Sequence, residues 1–142
     1  MSKAVEKELS ETDTGQARTH QAGMLIPKSG EIMEFFPKLD RTIKNPRAVI
    51  DLVDETGKDW TFNFIYYNNK FFGGTRNEYR LTGMTDFIRS FNLKAGDFIV
   101  LERVSDRYSR IRYRRQHAPL KGGPIKLGRA GWRVVEFTAD DD

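Results

Sequence analysis

A chain of 142 residues is long enough to fill one core and short for two, so a single domain is expected. Its hydrophobic share is only 38%, but 10 Phe, 5 Tyr and 2 Trp supply a large apolar area per residue. Zero cysteines exclude disulfides, thiolate nucleophiles and cysteine-held zinc, and the net charge of +4 excludes a strongly acidic character.

His20 and His117 remain as the strong nitrogen ligands, so no structural metal is expected. No apolar run approaches the roughly 18 residues of a membrane span, and the first twenty residues lack a signal-like stretch. Cytoplasmic placement with no membrane partner follows as the expectation. The positive charge is uneven: from Arg103 to Arg133 ten Lys and Arg face one acid, Asp106, a field suited to polyanions or to a solvated strand face.

In chain order, residues 1–12 are charged and aperiodic and read as a flexible N-terminus, with a helical turn at most. Asp13 to Gln21 holds small polar residues and Gly15, which bury little, and reads as an exposed loop. Met24 to Ile26 is an apolar strand. Glu31 to Phe36 is a short helix stopped by Pro37, because the residue before proline is pushed out of the α region. Ala48–Asp54 and Asp59–Tyr67 flank a turn and form a hairpin, the second run alternating aromatic with polar side chains.

Asn68 to Thr75 is a glycine-bearing loop, and Arg76 to Leu81 is extended. Met84, Phe87, Ile88 and Phe91 share one face of a two-turn helix. Phe98–Val104 and Ser109–Arg115 form a second hairpin in which Ile111 and Tyr113 alternate with Arg110, Arg112 and Arg114. Trp132 to Phe137 closes the sheet, and residues 139–142 are an acidic tail. The sum is a mainly β domain over 13–138, a barrel-like sheet of about seven strands with two short helices.

Hydrolytic chemistry is hard to find. Restriction-type nucleases pair a carboxylate with Asp/Glu-x-Lys to hold magnesium beside a lysine. Every lysine here has a neutral residue two positions earlier, and no HxxxH, GxSxG or phosphate-cradling glycine loop occurs. No catalytic residue and no cofactor are assigned to this domain.

Two segments carry a resemblance: Asp13-Thr-Gly-Gln-Ala-Arg-Thr-His-Gln-Ala-Gly-Met-Leu-Ile-Pro27 and Ile65-Tyr-Tyr-Asn-Asn-Lys-Phe-Phe-Gly-Gly-Thr-Arg-Asn-Glu-Tyr-Arg-Leu81. In order and spacing they resemble the N-terminal effector-binding domain of EcoRII-type restriction endonucleases. The helix, Asn92-Leu-Lys-Ala-Gly-Asp97 and the strand after it are similar to plant B3 transcription-factor domains, which share that pseudobarrel. The resemblance implies two arms gripping the major groove of double-stranded DNA at CCWGG (5'-CC(A/T)GG), in a type IIE-like restriction endonuclease. Magnesium is then expected only in a separate catalytic nuclease domain outside this chain.

By the same resemblance the N-arm contacts are Arg18, Thr19, His20 and Gln21, and the C-arm contacts are Gly73, Gly74, Thr75, Arg76, Asn77, Glu78, Tyr79 and Arg80. The chain departs from the family at Gly74 and Tyr79, where the EcoRII domain has lysines, and at Leu25, where it has tyrosine. The residue chemistry is compatible with the C-arm assignment, which the resemblance makes the favoured reading: arginine offers a planar fork to guanine O6 and N7, glutamate accepts from cytosine N4, and asparagine pairs with adenine or a phosphate. The competing reading is an ion ladder of Arg76, Glu78 and Arg80 on one strand face. For the function there are two further alternatives: RNA or single-strand binding through exposed aromatics, and a small nuclease with an unrecognised site. Arg110, Arg112 and Arg114 read as phosphate clamps or solvated charges.

Overall fold

The computed structural model describes residues 3–15, 23–28, 30–105, 108–115 and 131–135. Its strands are β1 (Lys3–Glu8), β2 (Met24–Ile26), β3 (Arg47–Val53), β4 (Asp59–Tyr67), β5 (Glu78–Thr82), β6 (Phe98–Ser105), β7 (Tyr108–Arg114) and β8 (Trp132–Val135). Three short helices accompany them: α1 (Glu11–Thr14), α2 (Glu31–Phe35) and α3 (Thr85–Ser90). A 3-10 turn covers Asn69–Phe72. The sheet order is β2-β5-β4-β3-β7-β6-β1-β8.

The sheet curls because its aromatic face has to be covered from within. On β4, Trp60, Phe62 and Phe64 are buried and alternate with more exposed residues. Phe87 of α3 meets the Trp60 end, with ring centroids 5.2 Å apart, while Phe36 after α2 stacks on Phe64 at 4.7 Å. The helices thus plug opposite ends of the same strand. The two outermost strands, β2 and β8, are joined by a side chain: Trp132 Nε1 donates to the Leu25 carbonyl at 2.9 Å, and Trp132 is fully buried. This bond turns an open eight-stranded sheet into a nearly closed, B3-like pseudobarrel and leaves little free edge.

The N-terminus corrects the sequence-based expectation of a frayed lead-in over 1–12. Lys3–Glu8 is a strand paired on both sides, to β6 and to β8, and it brings the count to eight. Its charges concealed it. Glu6 and Lys7 are both buried, Glu6 beneath Arg114 and Arg133, and Lys7 against Asp13 of α1. Partners so distant in sequence cannot be inferred from local periodicity. The other expected strands, hairpins and helices occur where the patterns put them, within two residues, except that α1 is a third helix and takes Asp13 and Thr14 from the expected loop; the end of the closing strand and the acidic tail lie outside the described residues.

One turn makes a prediction of its own. Asp54 accepts from the Thr56 amide at 2.8 Å, the Thr56 hydroxyl at 2.6 Å and the Lys58 amide at 3.1 Å, and from Trp60 Nε1 at 2.8 Å. Burial pushes its carboxyl up, and these four hydrogen bonds outweigh burial and hold it at about 2. Because the folded value lies below the unfolded one, the stabilisation is present above about pH 4 and is lost as pH falls toward 2. The melting-temperature advantage over Asp54→Asn should therefore shrink across that window. A gap that stays constant from pH 6 to about pH 2 would contradict it.

Candidate nucleic-acid interface

The loop between β4 and β5 is built by its own backbone. The Asn69–Phe72 turn ends at Gly73, whose φ of 88° suits glycine, and the Gly74 amide donates to the Asn69 carbonyl at 2.7 Å. Gly74 is glycine for a different reason from its neighbour: a Cβ there would lie 2.9 Å from Asn69 Cβ. The Lys70 amide then donates to the Arg76 carbonyl at 2.8 Å, closing the loop just before β5 begins. Phe71 and Phe72 are left exposed at its tip, and Thr75 is exposed as well.

Arg76, Glu78 and Arg80 project together from the outer face of the sheet. Arg76 Nε donates to Glu78 Oε1 at 2.9 Å, and an Arg80 terminal nitrogen donates to Glu78 Oε2, also at 2.9 Å. The ion ladder anticipated as the competing reading is therefore present. It does not use up the recognition chemistry at Arg76, whose guanidinium keeps further donors, or at Glu78, whose carboxylate has about four lone-pair sites; Arg80 is more committed, with its Nε buried and both terminal nitrogens engaged. The Arg76 guanidinium lies 3.9 Å above the Tyr67 ring, which fixes its plane. Burial raises the Glu78 carboxyl, and hydrogen bonds and charges from both arginines outweigh it, so it stays below its ordinary value and ionised at neutral pH.

Arg80 also reaches across to the other arm. Its NH1 donates to the Gly23 carbonyl at 2.8 Å, which ties the residue following the 16–22 segment to the β5 face. Gly23 has φ of 106°, and a Cβ there would lie 2.6 Å from the Leu81 carbonyl oxygen. Gly23 and β5 are thus joined by one guanidinium. Between α1, Gly23 and β5 runs an open groove of about 550 Å³, lined by Thr14, Gly15, Tyr67, Thr82 and Arg89 among others. Arg18, Thr19, His20 and Gln21 lie outside the described residues.

Two of the expected contact residues have partners within the domain. Tyr79 is not on the face of Arg76, Glu78 and Arg80: the two-residue period of a strand turns it inward, where it stacks on Tyr66 at 4.1 Å and Phe64 at 5.6 Å. Asn77 accepts from the Tyr66 hydroxyl at 2.6 Å, which occupies its amide oxygen. The arginine stripe of β7 is also committed internally. Arg110 pairs with Glu102 at 2.6 Å, Arg112 lies 3.8 Å from the same carboxylate, and Arg114 shares Glu6 with Arg133. Both glutamates are buried, so the stripe covers and neutralises them.

Sequence reasoning missed Asn68, which is fully buried at the root of the C-arm. Its Nδ2 donates to the Ile43 carbonyl at 2.8 Å and its Oδ1 accepts from the Asn45 amide at 2.8 Å. A buried polar side chain in a turn-rich stretch has no local signature. Among the described residues no group of three or more His, Asp or Glu is arranged to hold a metal ion, and no helix is long and apolar enough to cross a membrane.

Comparison with known proteins fits this architecture. A type II restriction enzyme, EcoRII of Escherichia coli, is 39% identical over 79 residues, covering 54% of this chain and 19% of that enzyme. A B3 domain-containing transcription factor of Arabidopsis thaliana is 34% identical over 99 residues, covering 70% of this chain and 12% of its own length. An AP2/ERF and B3 domain-containing transcription repressor of the same plant is 30% identical over 125 residues, 82% of this chain and 32% of the repressor. The chain thus spans less than a third of each of these relatives. The family model for the N-terminal part of restriction endonuclease EcoRII matches residues 3–111, and the chain belongs to that family.

Proposed function

We propose that this domain binds double-stranded DNA in sequence-specific fashion, with an N-arm from Asp13 to Gln21 and a C-arm from Gly73 to Arg80 entering the major groove and CCWGG as the site read. Family membership supports DNA binding, and the observation that carries the base-reading role is the Arg76–Glu78–Arg80 constellation. Two guanidinium groups and one carboxylate, joined by ion pairs on a partly exposed face, match a run of G·C pairs: the guanidinium groups meet guanine O6 and N7, and the carboxylate meets cytosine N4. Selection from a randomised duplex pool tests the reading. Enrichment of CCWGG is the expected outcome, and recovery of unrelated sequences in equal yield would refute it.

In this reading the domain is the effector- or target-binding part of a type IIE-like restriction endonuclease, and cleavage with its magnesium belongs to a separate catalytic domain. Incubation with plasmid and magnesium should leave the plasmid intact. A nick or cut that depends on this chain would reveal a nuclease site with no known motif.

A second reading draws on one observation, the exposure of Phe71 at 66% and Phe72 at 43% on the C-arm tip. Aromatic rings presented this way suit stacking on unpaired bases. Competition between duplex and single-stranded oligonucleotides separates the two, and the duplex is expected to win.

A further inference from the structure

Positive charge on this domain is of two kinds. Arg76, Arg80, Arg110, Arg114 and Arg133 each contact a carboxylate. Lys3, Lys28, Lys38 and Arg41 are exposed, and among the described residues no carboxylate stands within ion-pair distance of any of them; the same holds of Lys44, Arg47, Lys58, Lys70, Arg89 and Lys94, but these do not line a common pocket with them. The first four line one open pocket of about 620 Å³, together with the Phe36 and Tyr79 rings and a single acid, Glu34.

Position gives the pocket its meaning. Ile26 pairs with Tyr79, and Tyr79 with Tyr66, so the pocket lies at the end of the β2-β5-β4 sheet from which the C-arm departs. Asn68 fastens the two together: it is fully buried at the root of the C-arm, and its hydrogen bonds to Ile43 and Asn45 hold the segment that follows Arg41. A further hydrogen bond, from Asn68 Nδ2 to the Arg41 carbonyl at 3.4 Å, reaches the cationic residue itself. Arg41 and the C-arm are therefore linked through the Asn68 side chain.

We infer that Lys38 and Arg41, backed by Lys28 and Lys3, hold backbone phosphates of the duplex beside the bases that the C-arm reads. The inference rests on the DNA-binding reading and adds to it a clamp that the arginine stripe of β7 does not provide. Phosphate is the chemistry that an open cluster of ammonium and guanidinium groups without carboxylate partners selects, and contacts of this kind fix register without reading sequence. A free phosphate monoester would meet the same groups. The continuity of the pocket with the C-arm is what favours the duplex.

The test is the double variant Lys38→Ala/Arg41→Ala, titrated with a CCWGG duplex and an unrelated duplex at several salt concentrations. The slope of log affinity against log salt should fall in magnitude by about 0.9 for each phosphate no longer neutralised. Affinity for both duplexes should drop alike, with their ratio unchanged, and Lys38→Arg/Arg41→Lys should restore the slope. A thermal melt like that of the wild type shows that the fold is intact. An unchanged slope in a folded variant overturns the inference, as does a weakening confined to the CCWGG duplex. Wild-type protein titrated with inorganic phosphate supplies the other arm: saturable binding abolished by the double variant, with the DNA slope unmoved, would assign the pocket to a free anion. If the wild type prefers neither duplex over single strands, the DNA-binding reading itself falls, an outcome distinct from any of these.

Discussion

Arg76→Ala and Glu78→Ala are each expected to weaken binding to a CCWGG duplex by about 1–3 kcal/mol, roughly 5- to 150-fold, while binding to unrelated duplexes changes little. The two substitutions act differently. Removing Arg76 deletes one fork and leaves Glu78 paired with Arg80. Removing Glu78 deletes the acceptor and also takes one anchor from each fork, leaving Arg80 on the Gly23 carbonyl and Arg76 on the Tyr67 ring. Glu78→Ala should therefore be the more damaging to discrimination, and Glu78→Gln, which keeps an acceptor of similar shape, should recover part of it. Gel-shift titration against matched and mismatched duplexes checks this. Equal affinity of wild type and both alanine variants for CCWGG would leave the ion ladder as a purely structural device.

The largest effect on stability is expected at Trp132. Replacing this fully buried ring by alanine opens a cavity and removes the bond that joins β8 to β2, at a cost of about 3–5 kcal/mol. For a domain of this size that corresponds to a fall of roughly 10 °C or more in melting temperature. Trp132→Phe keeps most of the packing against Phe36 but leaves the Leu25 carbonyl without its donor, for a destabilisation of about 1–3 kcal/mol. Calorimetry separates the two contributions. An alanine variant within about 1 kcal/mol of wild type would mean that the seam is held elsewhere.

The legible parts of the fold were those whose signal is local. Trp60, Phe62 and Phe64 alternate along β4, and Phe87 with Ile88 marks the inner face of α3, because burial on one side leaves a period that a short window reveals. β1 was illegible for the opposite reason. Its buried Glu6 and Lys7 are satisfied by Arg114, Arg133 and Asp13, and until those partners are placed a run such as Lys-Ala-Val-Glu-Lys-Glu is indistinguishable from a solvated tail.

The site was partly legible in the same sense. Arg76, Glu78 and Arg80 share a face, as residues two apart on a strand must, and that same period turns Tyr79 away from them. The carboxylates beneath the arginine stripe of β7 were illegible, because a run of cations read alone carries no information about them. Lys3, Lys28, Lys38 and Arg41, whose positive charge no carboxylate among the described residues offsets, are scattered in sequence and gather only in the fold.

The most direct test of DNA recognition by the two arms is to follow the arginine Nε–H signals by NMR as a CCWGG duplex is added. The signals of Arg76 and Arg80 are expected to shift and then saturate at one duplex per domain, with those of Arg110 and Arg114 staying near their free positions. Tight duplex binding that leaves Arg76 and Arg80 unmoved would contradict the account.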